Sequence, residues 1–252
     1  MAVLITGGGA GIGRAIAYEL GRHGAAVVIW DKNSQHMNET CAAMSKEGLD
    51  VFGSLCDVSD LDQVSRSLDE VSFHYNRIDA LVNSAGISRA NPIAENAGHE
   101  VWRAVLATNL DGVYYCSHKV LPHMPDGGRI VNISSALGRI GQAGATAYCA
   151  SKHGIVGFTR ALAMEVAHRG ITVNVVCPGW VDTDMARVDI EVGARRKGMT
   201  PDEFWRAEAA RVPLGRLIQP KEVAELVCFL LSPAAKNITG QAIGICGGMV
   251  MR

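Results

Sequence analysis

Seven short apolar runs recur along the chain, and amphipathic stretches separate them. Most positions in these runs are apolar, with little alternation between apolar and polar residues. That pattern is typical of parallel strands that are covered by helices on both faces, and the intervening helical stretches supply the crossovers that parallel strands need. The predicted strands are Ala2–Thr6, Ala26–Trp30, Val51–Cys56, Ala80–Asn83, Arg129–Ile133, Thr172–Cys177 and Ala242–Ile245.

This alternation predicts an α/β fold, namely a doubly wound parallel sheet of about seven strands with helices on both faces. We expect one domain over residues 1–252, because sheets of this kind commonly form one core at such a length. The segment 181–212 interrupts the alternation of strands and helices, since it carries charges, prolines and two short helical patterns. We expect it to be a substrate-loop insertion, and a surface excursion is the alternative. The predicted helices are about 12–23, 34–47, 60–76, 97–122, 147–168 and 221–231.

Composition excludes several classes of function. The net charge is −1 at pH 7, so no strong attraction to nucleic acid or to an anionic membrane is expected. The apolar run at the N-terminus is too short for a signal peptide or a membrane span. The seven cysteines form no CxxC pair and the histidines lack metal-ligand spacing. We therefore expect a cytoplasmic protein with reduced thiols and no metal site.

A glycine-rich loop, TGGGAGIG from Thr6 to Gly13, follows the first strand and opens the first helix. Glycines permit a tight turn and a close approach of the backbone to a ligand, and a helix N-terminus favours a pyrophosphate. A glycine loop alone is a weak signal, but its place between a strand and a helix strengthens it. The rival interpretation, a nucleoside-triphosphate loop, needs Lys and then Ser or Thr, whereas Arg14 and Ala15 follow Gly13.

Asp31 closes the second strand, at the distance beyond the loop where dinucleotide-binding folds place an acidic residue. A carboxylate there accepts hydrogen bonds from ribose hydroxyls and repels a 2′-phosphate, so it favours NAD over NADP. Lys32 weakens this preference, because a cation beside Asp31 could meet a phosphate. The alternative interpretation of Asp31 is an ordinary turn residue at the end of a strand.

Further motifs follow in order along the chain, and together they identify a family. They are Asp57-Val58, Asn83-Ser84-Ala85-Gly86, Asn109, Ile133-Ser134-Ser135, Tyr148-Cys-Ala-Ser-Lys152, Pro178-Gly179-Trp-Val181-Asp-Thr183 and Ile238-Thr239-Gly240-Gln241. With the glycine loop, they make the chain resemble the short-chain dehydrogenase/reductase family over nearly its whole length, in its NAD-preferring type. The resemblance implies a Rossmann-type fold and an oxidoreductase.

The resemblance also assigns cofactor contacts. It implies that Asp57 and Val58 contact adenine and that Val181 and Thr183 hold the nicotinamide carboxamide. The segment from Asn83 to Gly86 would lie against the cofactor and steady the sheet, with Ser84 where the family has a second Asn. The expected cofactor-binding residues are Gly7, Gly11, Ile12, Gly13, Asp31, Asp57, Val58, Asn83, Ala85, Gly86, Tyr148, Lys152, Pro178, Gly179, Val181 and Thr183.

Tyr148 and Lys152 stand four residues apart on a predicted helix, so they share one face. A phenol titrates near ~10, which makes it a weak base at neutral pH. We expect the Lys152 ammonium and an oxidised nicotinamide to lower the pKa of Tyr148, so that the phenol exchanges a proton with the substrate as hydride moves. The resemblance adds that Lys152 hydrogen-bonds the nicotinamide ribose.

Two further residues complete the expected catalytic set. Ser135 ends the fifth strand and can hydrogen-bond the substrate oxygen. The family's spacing favours it over Ser134, which strand alternation should point elsewhere. The resemblance implies that Asn109 holds a water through which Lys152 passes protons. A serine nucleophile is the rival chemistry, but no GxSxG elbow surrounds either serine.

The expected substrate contacts are Ser135, Leu137, Gln142, Tyr148 and Trp180. In the 181–212 segment, Arg195, Arg196 and Lys197 form a basic run. It is interpreted either as solvated surface charge or as an attraction for an acidic substrate.

The main functional prediction is NAD-dependent oxidation of a secondary alcohol, such as a small alcohol, a polyol or a hydroxy-acid. The alternative is an NADPH-dependent ketoreductase of the 3-oxoacyl reductase type, and a third reading is a non-catalytic nucleotide sensor on the same fold. No nucleic-acid or membrane partner is expected. The resemblance implies a homotetramer that uses the long helices near 97–122 and 147–168 and the C-terminal strand.

Overall fold

Seven parallel strands form one sheet in the computed structural model, which describes residues 1–93 and 98–251. The strands are β1 (Ala2–Thr6), β2 (Ala26–Asp31), β3 (Val51–Leu55), β4 (Ala80–Asn83), β5 (Arg129–Ile133), β6 (Thr172–Pro178) and β7 (Ala242–Ile245). Their order across the sheet is β3-β2-β1-β4-β5-β6-β7. The predicted fold class is confirmed, and each strand agrees with its predicted bounds to within one residue.

Helices cover both faces of the sheet in the described part of the chain. They are α1 (Gly11–Arg22), α2 (Ser34–Lys46), α3 (Leu61–His74), α4 (Gly98–Leu106), α5 (Gly112–Val120), α6 (Thr146–Val166), α7 (Asp184–Lys197), α8 (Pro201–Ala209) and α9 (Pro220–Leu231). The start of the helix predicted near 97–122 falls on residue 97, which lies outside the described residues.

The core has two main layers because successive strand residues point to opposite faces. Val3 and Ile5 pack into a cluster with residues of α1 and α9, whereas Leu4 packs into a second cluster with residues of α3, α5 and α6. Burial of each such side chain stabilises the fold by about 1.5–3 kcal/mol. The nearly unbroken apolar runs in the strands follow from this cover on both sides.

The chain reverses its direction of travel across the sheet at β1, whose two neighbours are β2 and β4. The hydroxyl of Thr6, at the end of β1, accepts hydrogen bonds from the backbone amides of Ser84 and Ala85, both at 3.1 Å. These bonds join the carboxyl ends of β1 and β4. In a doubly wound sheet, ligands bind in the crevice at this switch point.

The long helix predicted near 97–122 is interrupted between α4 and α5. A π-helical turn over Ala107–Asp111 replaces the regular α-helix there. The side chain of Asn109, inside this turn, is fully buried and bonds to the backbone of Ile87. The widened turn therefore fixes a polar side chain beside the segment that follows β4, and such turns are frequent at functional sites.

The 181–212 segment contains the two predicted short helices, α7 and α8. Thr200 and Glu203 form a capping box at the start of α8, which satisfies amides that the helix leaves unpaired. Phe204 of α8 is buried at Gly193 of α7, where a Cβ atom would come within 2.4 Å of the phenylalanine ring. The two helices thus pack closely as one cap on the carboxyl edge of the sheet.

Candidate active site

The glycine loop forms one wall of a cleft of about 400 Å³ at the switch point. Gly11 has a φ of 53°, which favours glycine, and a Cβ atom on Gly13 would lie 2.2 Å from the carbonyl oxygen of Gly7. Ala10, at the N-cap of α1, has no side chain that can accept from the first helical amides. Those amides are therefore available to an anion such as a pyrophosphate.

Asp31 lies at the far end of this cleft, where β2 ends. Its carboxylate accepts hydrogen bonds from the backbone amides of Gly9 at 3.0 Å and Asn33 at 2.9 Å. These bonds tie the acidic group to the glycine loop. Lys32 places its ammonium 4.0 Å from the carboxylate of Asp57 on the opposite wall. A negative and a positive side chain thus both border the part of the cleft that would receive a ribose.

Most residues predicted to bind a cofactor line this one cleft. They are Gly7, Gly11, Ile12, Gly13, Asp31, Asp57, Val58, Ala85, Gly86, Tyr148, Lys152 and Thr183. Four others do not line it. They are Asn83, Pro178, Gly179 and Val181.

Each of these four residues has a different position in the structure. The Asn83 amide donates to Asn132 at 2.8 Å, so it bridges β4 and β5 inside the sheet. Pro178 is the last residue of β6, and Val181 is buried in a parallel bridge to Ile218. Gly179 lines a second cleft instead. Sequence motifs could not separate these positions, because neighbouring residues in one motif face different sides of the backbone.

The second cleft has a volume of about 580 Å³ and lies under the cap formed by α7 and α8. All five predicted substrate contacts line it. They are Ser135, Leu137, Gln142, Tyr148 and Trp180. Both clefts have Tyr148 in their lining. The phenol therefore stands where the two spaces meet.

The pKa of Tyr148 moves in the direction opposite to the expected one. Burial raises it to about 12, a hydrogen bond with the Ser135 hydroxyl acts to lower it, and the charge of Asp189 raises it. The expected net lowering of this pKa is wrong for the protein's own residues, because burial raises the pKa more than any neighbouring group lowers it. The Lys152 ammonium lies 5.5 Å from the centroid of the phenol ring. A phenol with this pKa is protonated at neutral pH and is suited to donate a proton.

Lys152 is almost fully buried beneath Tyr148. Its ammonium donates a hydrogen bond to the carbonyl oxygen of Ile133 at 2.9 Å. Burial lowers the pKa of Lys152 from 10.5 to about 8. A Cβ atom built on Gly86 would lie 3.4 Å from the Lys152 ammonium and 3.4 Å from the amide oxygen of Asn109. The two polar groups thus flank one glycine at the end of β4.

The two serines after β5 point in different directions, as predicted. The Ser134 hydroxyl is buried and donates to the Lys152 carbonyl oxygen at 2.8 Å, which fixes α6 against the strand. The Ser135 hydroxyl caps a short turn by accepting from the Leu137 amide at 3.1 Å, and it is close enough to the Tyr148 hydroxyl to lower the pKa of that phenol. Ser135 therefore shares the second cleft with the phenol.

Asn109 bonds to backbone and side-chain groups on two elements. Its amide oxygen accepts from the Ile87 amide at 2.8 Å, and its amide nitrogen donates to Ile87 at 3.0 Å and to the Ser151 hydroxyl at 3.2 Å. These bonds hold the π-helical turn against α6. The structure thereby brings Asn109, Ser135, Tyr148 and Lys152 to one end of the sheet.

This arrangement agrees with a comparison of the sequence with protein families. The sequence profile described as enoyl-(acyl carrier protein) reductase, which covers short-chain dehydrogenases of this type, matches residues 7–250. The chain belongs to the short-chain dehydrogenase/reductase family. It is therefore an oxidoreductase that uses a nicotinamide cofactor.

Several other proteins resemble the chain along almost its full length. The 3-oxoacyl-(acyl-carrier-protein) reductase FabG of Pseudomonas aeruginosa is 40% identical over 250 residues, covering 98% of this chain and 96% of the relative. A variant of the actinorhodin polyketide ketoreductase, solved with NADPH, superimposes with a TM-score of 0.94 at 40% identity and covers 98% of this chain and 96% of its own. Levodione reductase superimposes with a TM-score of 0.92 at 33% identity, with 98% and 96% covered.

Several residues of the two clefts were missed from the sequence. His36 and Thr108 line the first cleft and Ser88 lines the second, whereas Met185 and Asp189, which line the first and the second cleft, belong to the segment that was expected to border the substrate. None of them belongs to a motif, and their positions depend on how distant segments pack. The helical spacing of residues in α7 is the one signal that could have indicated Asp189.

Three further properties of the described residues concern metal binding, membrane spans and thiols. Within residues 1–93 and 98–251, no group of three or more His, Cys, Asp or Glu side chains could hold a metal ion. No helix in those ranges is long and apolar enough to cross a membrane. All seven cysteines have free thiols.

Proposed function

We propose that this protein is a ketoreductase that reduces a 3-oxoacyl-type ketone to the corresponding secondary alcohol. The observation that carries the proposal is the position of a protonated Tyr148, with Ser135 beside it, where a cofactor cleft meets a substrate cleft. The named relatives are reductases of ketones and support this alternative better than the oxidation of a small alcohol.

The residues present fit a dinucleotide. The uncapped N-terminus of α1 would hold the pyrophosphate, Asp31 the adenosine ribose, and Asp57 with Val58 the adenine. Thr183 and Lys152 line the same cleft, and the nicotinamide and its ribose would lie beside them. A bound reduced nicotinamide supplies hydride to the ketone carbon.

The chain's own residues handle the oxygen of the ketone. Ser135 and Tyr148 donate hydrogen bonds to it, and these bonds strengthen as negative charge develops. Tyr148 transfers its proton to that oxygen, which a pKa of about 12 in the resting protein permits without prior protonation. The buried Lys152 cation then stabilises the phenolate, and Asn109 fixes the route by which the proton is replaced.

The reaction can be tested with purified protein, a reduced cofactor and ethyl 3-oxobutanoate. We expect oxidation of the cofactor and formation of the 3-hydroxy ester, and no reaction with ethyl crotonate, which has a carbon–carbon double bond but no ketone. Faster oxidation of secondary alcohols than reduction of any ketone would favour the dehydrogenase. Tight cofactor binding without any turnover would favour a nucleotide sensor.

We also propose NADH as the preferred cofactor. Asp31 would stand beside the 2′-phosphate of NADPH, and the two negative charges repel each other. Lys32 acts against this preference, and the ketoreductase solved with NADPH shows that the fold accepts the phosphate. We expect kcat/KM to be higher with NADH, and Asp31→Ala to shift the ratio toward NADPH by about tenfold or more. An unchanged ratio in that variant would contradict the preference.

We further propose that the protein is a homotetramer in the cytoplasm. Exposed apolar side chains on the two long helices support an association surface, including Tyr114 at 51% and Met164 at 82% exposure. The free thiols suit a reducing compartment. Sedimentation at micromolar concentration is expected to show a species four times the 26.8 kDa chain. A species of one chain only would reject the tetramer.

A further inference from the structure

One wall of the second cleft is a stripe along α7. The residues of this helix that line the cleft are Asp189, Val192, Gly193, Arg196 and Lys197. They recur three and four residues apart, so they share one helical face. The stripe is acidic at one end and basic at the other, with about 10.5 Å of helix between Asp189 and Arg196.

The basic end of the stripe is partly neutralised. The Lys197 ammonium lies 3.7 Å from the carboxylate of Glu208, and the Arg211 guanidinium lies 3.3 Å from the same group. Glu208 is buried under these two cations. On sequence alone, one interpretation of the basic run at residues 195–197 is an attraction for an acidic substrate. Part of its charge instead pairs with Glu208 and holds α7 and α8 together.

The acidic end differs, because among the described residues it takes part in no ion pair. Asp189 is half-buried, and the ion pairs among residues 1–93 and 98–251 do not include it. The Ser88 side chain lines the same cleft from the segment after β4 and is close enough to hydrogen-bond with this carboxylate and so to lower its pKa. Burial raises the pKa of Asp189, and the hydrogen bond opposes that rise. The carboxylate thus brings an unpaired negative charge to the cleft.

Asp189 is also close enough to the chemistry to affect it. Its charge acts to raise the pKa of Tyr148, and both residues line the second cleft. A substrate that places its ketone oxygen at Tyr148 would bring the neighbouring groups of that ketone toward Asp189. An anionic group there would meet a like charge in a partly dehydrated site, where the repulsion is stronger than in bulk water.

We infer that Asp189 is a specificity-determining residue that rejects ketones with an anionic group beside the reacting carbonyl. It selects neutral neighbours, such as an ester, a thioester or an amide, and groups that donate hydrogen bonds, such as a hydroxyl. The enzyme then acts on the ester or thioester form of a 3-oxo acid rather than on the free acid. This inference rests on the proposed function, because it defines the substrate class of the same site.

The test compares ethyl 3-oxobutanoate with free 3-oxobutanoate, which differ in charge next to the same ketone. The wild-type protein is expected to prefer the ester. Asp189→Asn keeps the size and the bond to Ser88, and it should raise kcat/KM for the free acid about tenfold while changing that for the ester less than about twofold. Asp189→Glu keeps the charge and should keep the discrimination.

The matched control is Glu191→Gln, which removes one negative charge from an exposed position of α7 outside both clefts. An unchanged ratio of the two substrates in Asp189→Asn would overturn the inference, as would an equal change in the control. If neither ketone is turned over, the proposed function fails. The inference is then judged by calorimetry, from the affinities of the cofactor-bound protein for 3-oxobutanoate and for its neutral amide, with the same expected change in Asp189→Asn.

Discussion

Tyr148 combines two properties that a proton donor in ketone reduction needs. Burial keeps it protonated, and the Ser135 hydroxyl beside it offers a second hydrogen bond to the same oxygen. Lys152 lies deeper, where it is positioned to stabilise the phenolate after transfer instead of creating one beforehand. The resting protonation state of Tyr148 therefore suits the reduction that we propose, whereas oxidation requires a phenolate that the protein alone disfavours.

Replacement of this hydroxyl tests its role directly. Tyr148→Phe should lower kcat for ketone reduction by about 10²–10⁴-fold, because it removes the positioned proton donor. Fluorescence titration should show cofactor affinity within about twofold of the wild type, since the ring is retained. The matched control is Tyr75→Phe, just after α3 and outside both clefts, which should leave kcat unchanged. Equal losses in both variants would indicate a structural effect.

The buried Lys152 predicts a pH-dependent stability. Its pKa in the folded protein, about 8, is below the usual 10.5, so folding disfavours the charged form. The unfavourable contribution is complete below pH ~8 and disappears as the pH rises toward ~10.5. Lys152→Met should therefore be more stable than the wild type at pH 7, by up to roughly 3 kcal/mol, and the difference should shrink by pH 10. Denaturant unfolding at both pH values measures this, and a difference that grows with pH would contradict it.

Individual residues were predictable to different degrees. The spacing of Tyr148 and Lys152 requires only a helix, so the sequence brings them together without knowledge of the fold. The opposite directions of Ser134 and Ser135 follow from strand alternation. The pKa of Tyr148 could not be predicted, because it depends on how much water the packed structure excludes. Asp189 lies in the predicted substrate loop, but its position beside Ser88 could not be predicted because the two residues are far apart along the chain.

Among the elements, the cap of α7 and α8 decides the shape of the substrate cleft. Its two helices meet where Gly193 leaves room for the ring of Phe204. The helical patterns of the sequence predict that both helices exist, but not where they pack. The π-helical turn at Asn109 could not be predicted from the sequence either, because the apolar pattern of the helix continues through it. The turn is recognised only in the structure, where Asn109 bonds to Ile87.

A methyl group at the contact between the cap helices should disturb the substrate cleft alone. Gly193→Ala would place its Cβ atom 2.4 Å from the Phe204 ring, so one helix must shift. Overpacking of this kind costs about 1–3 kcal/mol. We expect KM for the ketone to rise severalfold while the dissociation constant of the cofactor stays the same. Gly157→Ala, at an exposed position of α6 with open space around it, should change neither constant. A loss of cofactor affinity in Gly193→Ala would contradict this division of the site.

At the scale of the whole molecule, the order of strands in the sheet brings the two clefts next to each other. The strand runs predict a doubly wound sheet, and they do so because both faces of each strand must be apolar. The order of the strands was not predicted, since the sequence of an apolar strand does not indicate which strands lie beside it. That order places the ends of β1, β4 and β5 side by side, and the cofactor cleft, Ser135 and Tyr148 meet there.

The most direct test is a crystal structure of the protein with a reduced-cofactor analogue and a 3-oxo ester. We predict that the dinucleotide occupies the cleft from Asp31 to Lys152, and that the ester lies under α7 and α8. The ketone oxygen should be within about 3 Å of both the Tyr148 and the Ser135 hydroxyls. A ketone bound elsewhere, or a Tyr148 hydroxyl directed away from the nicotinamide with the ligands in place, would contradict the account.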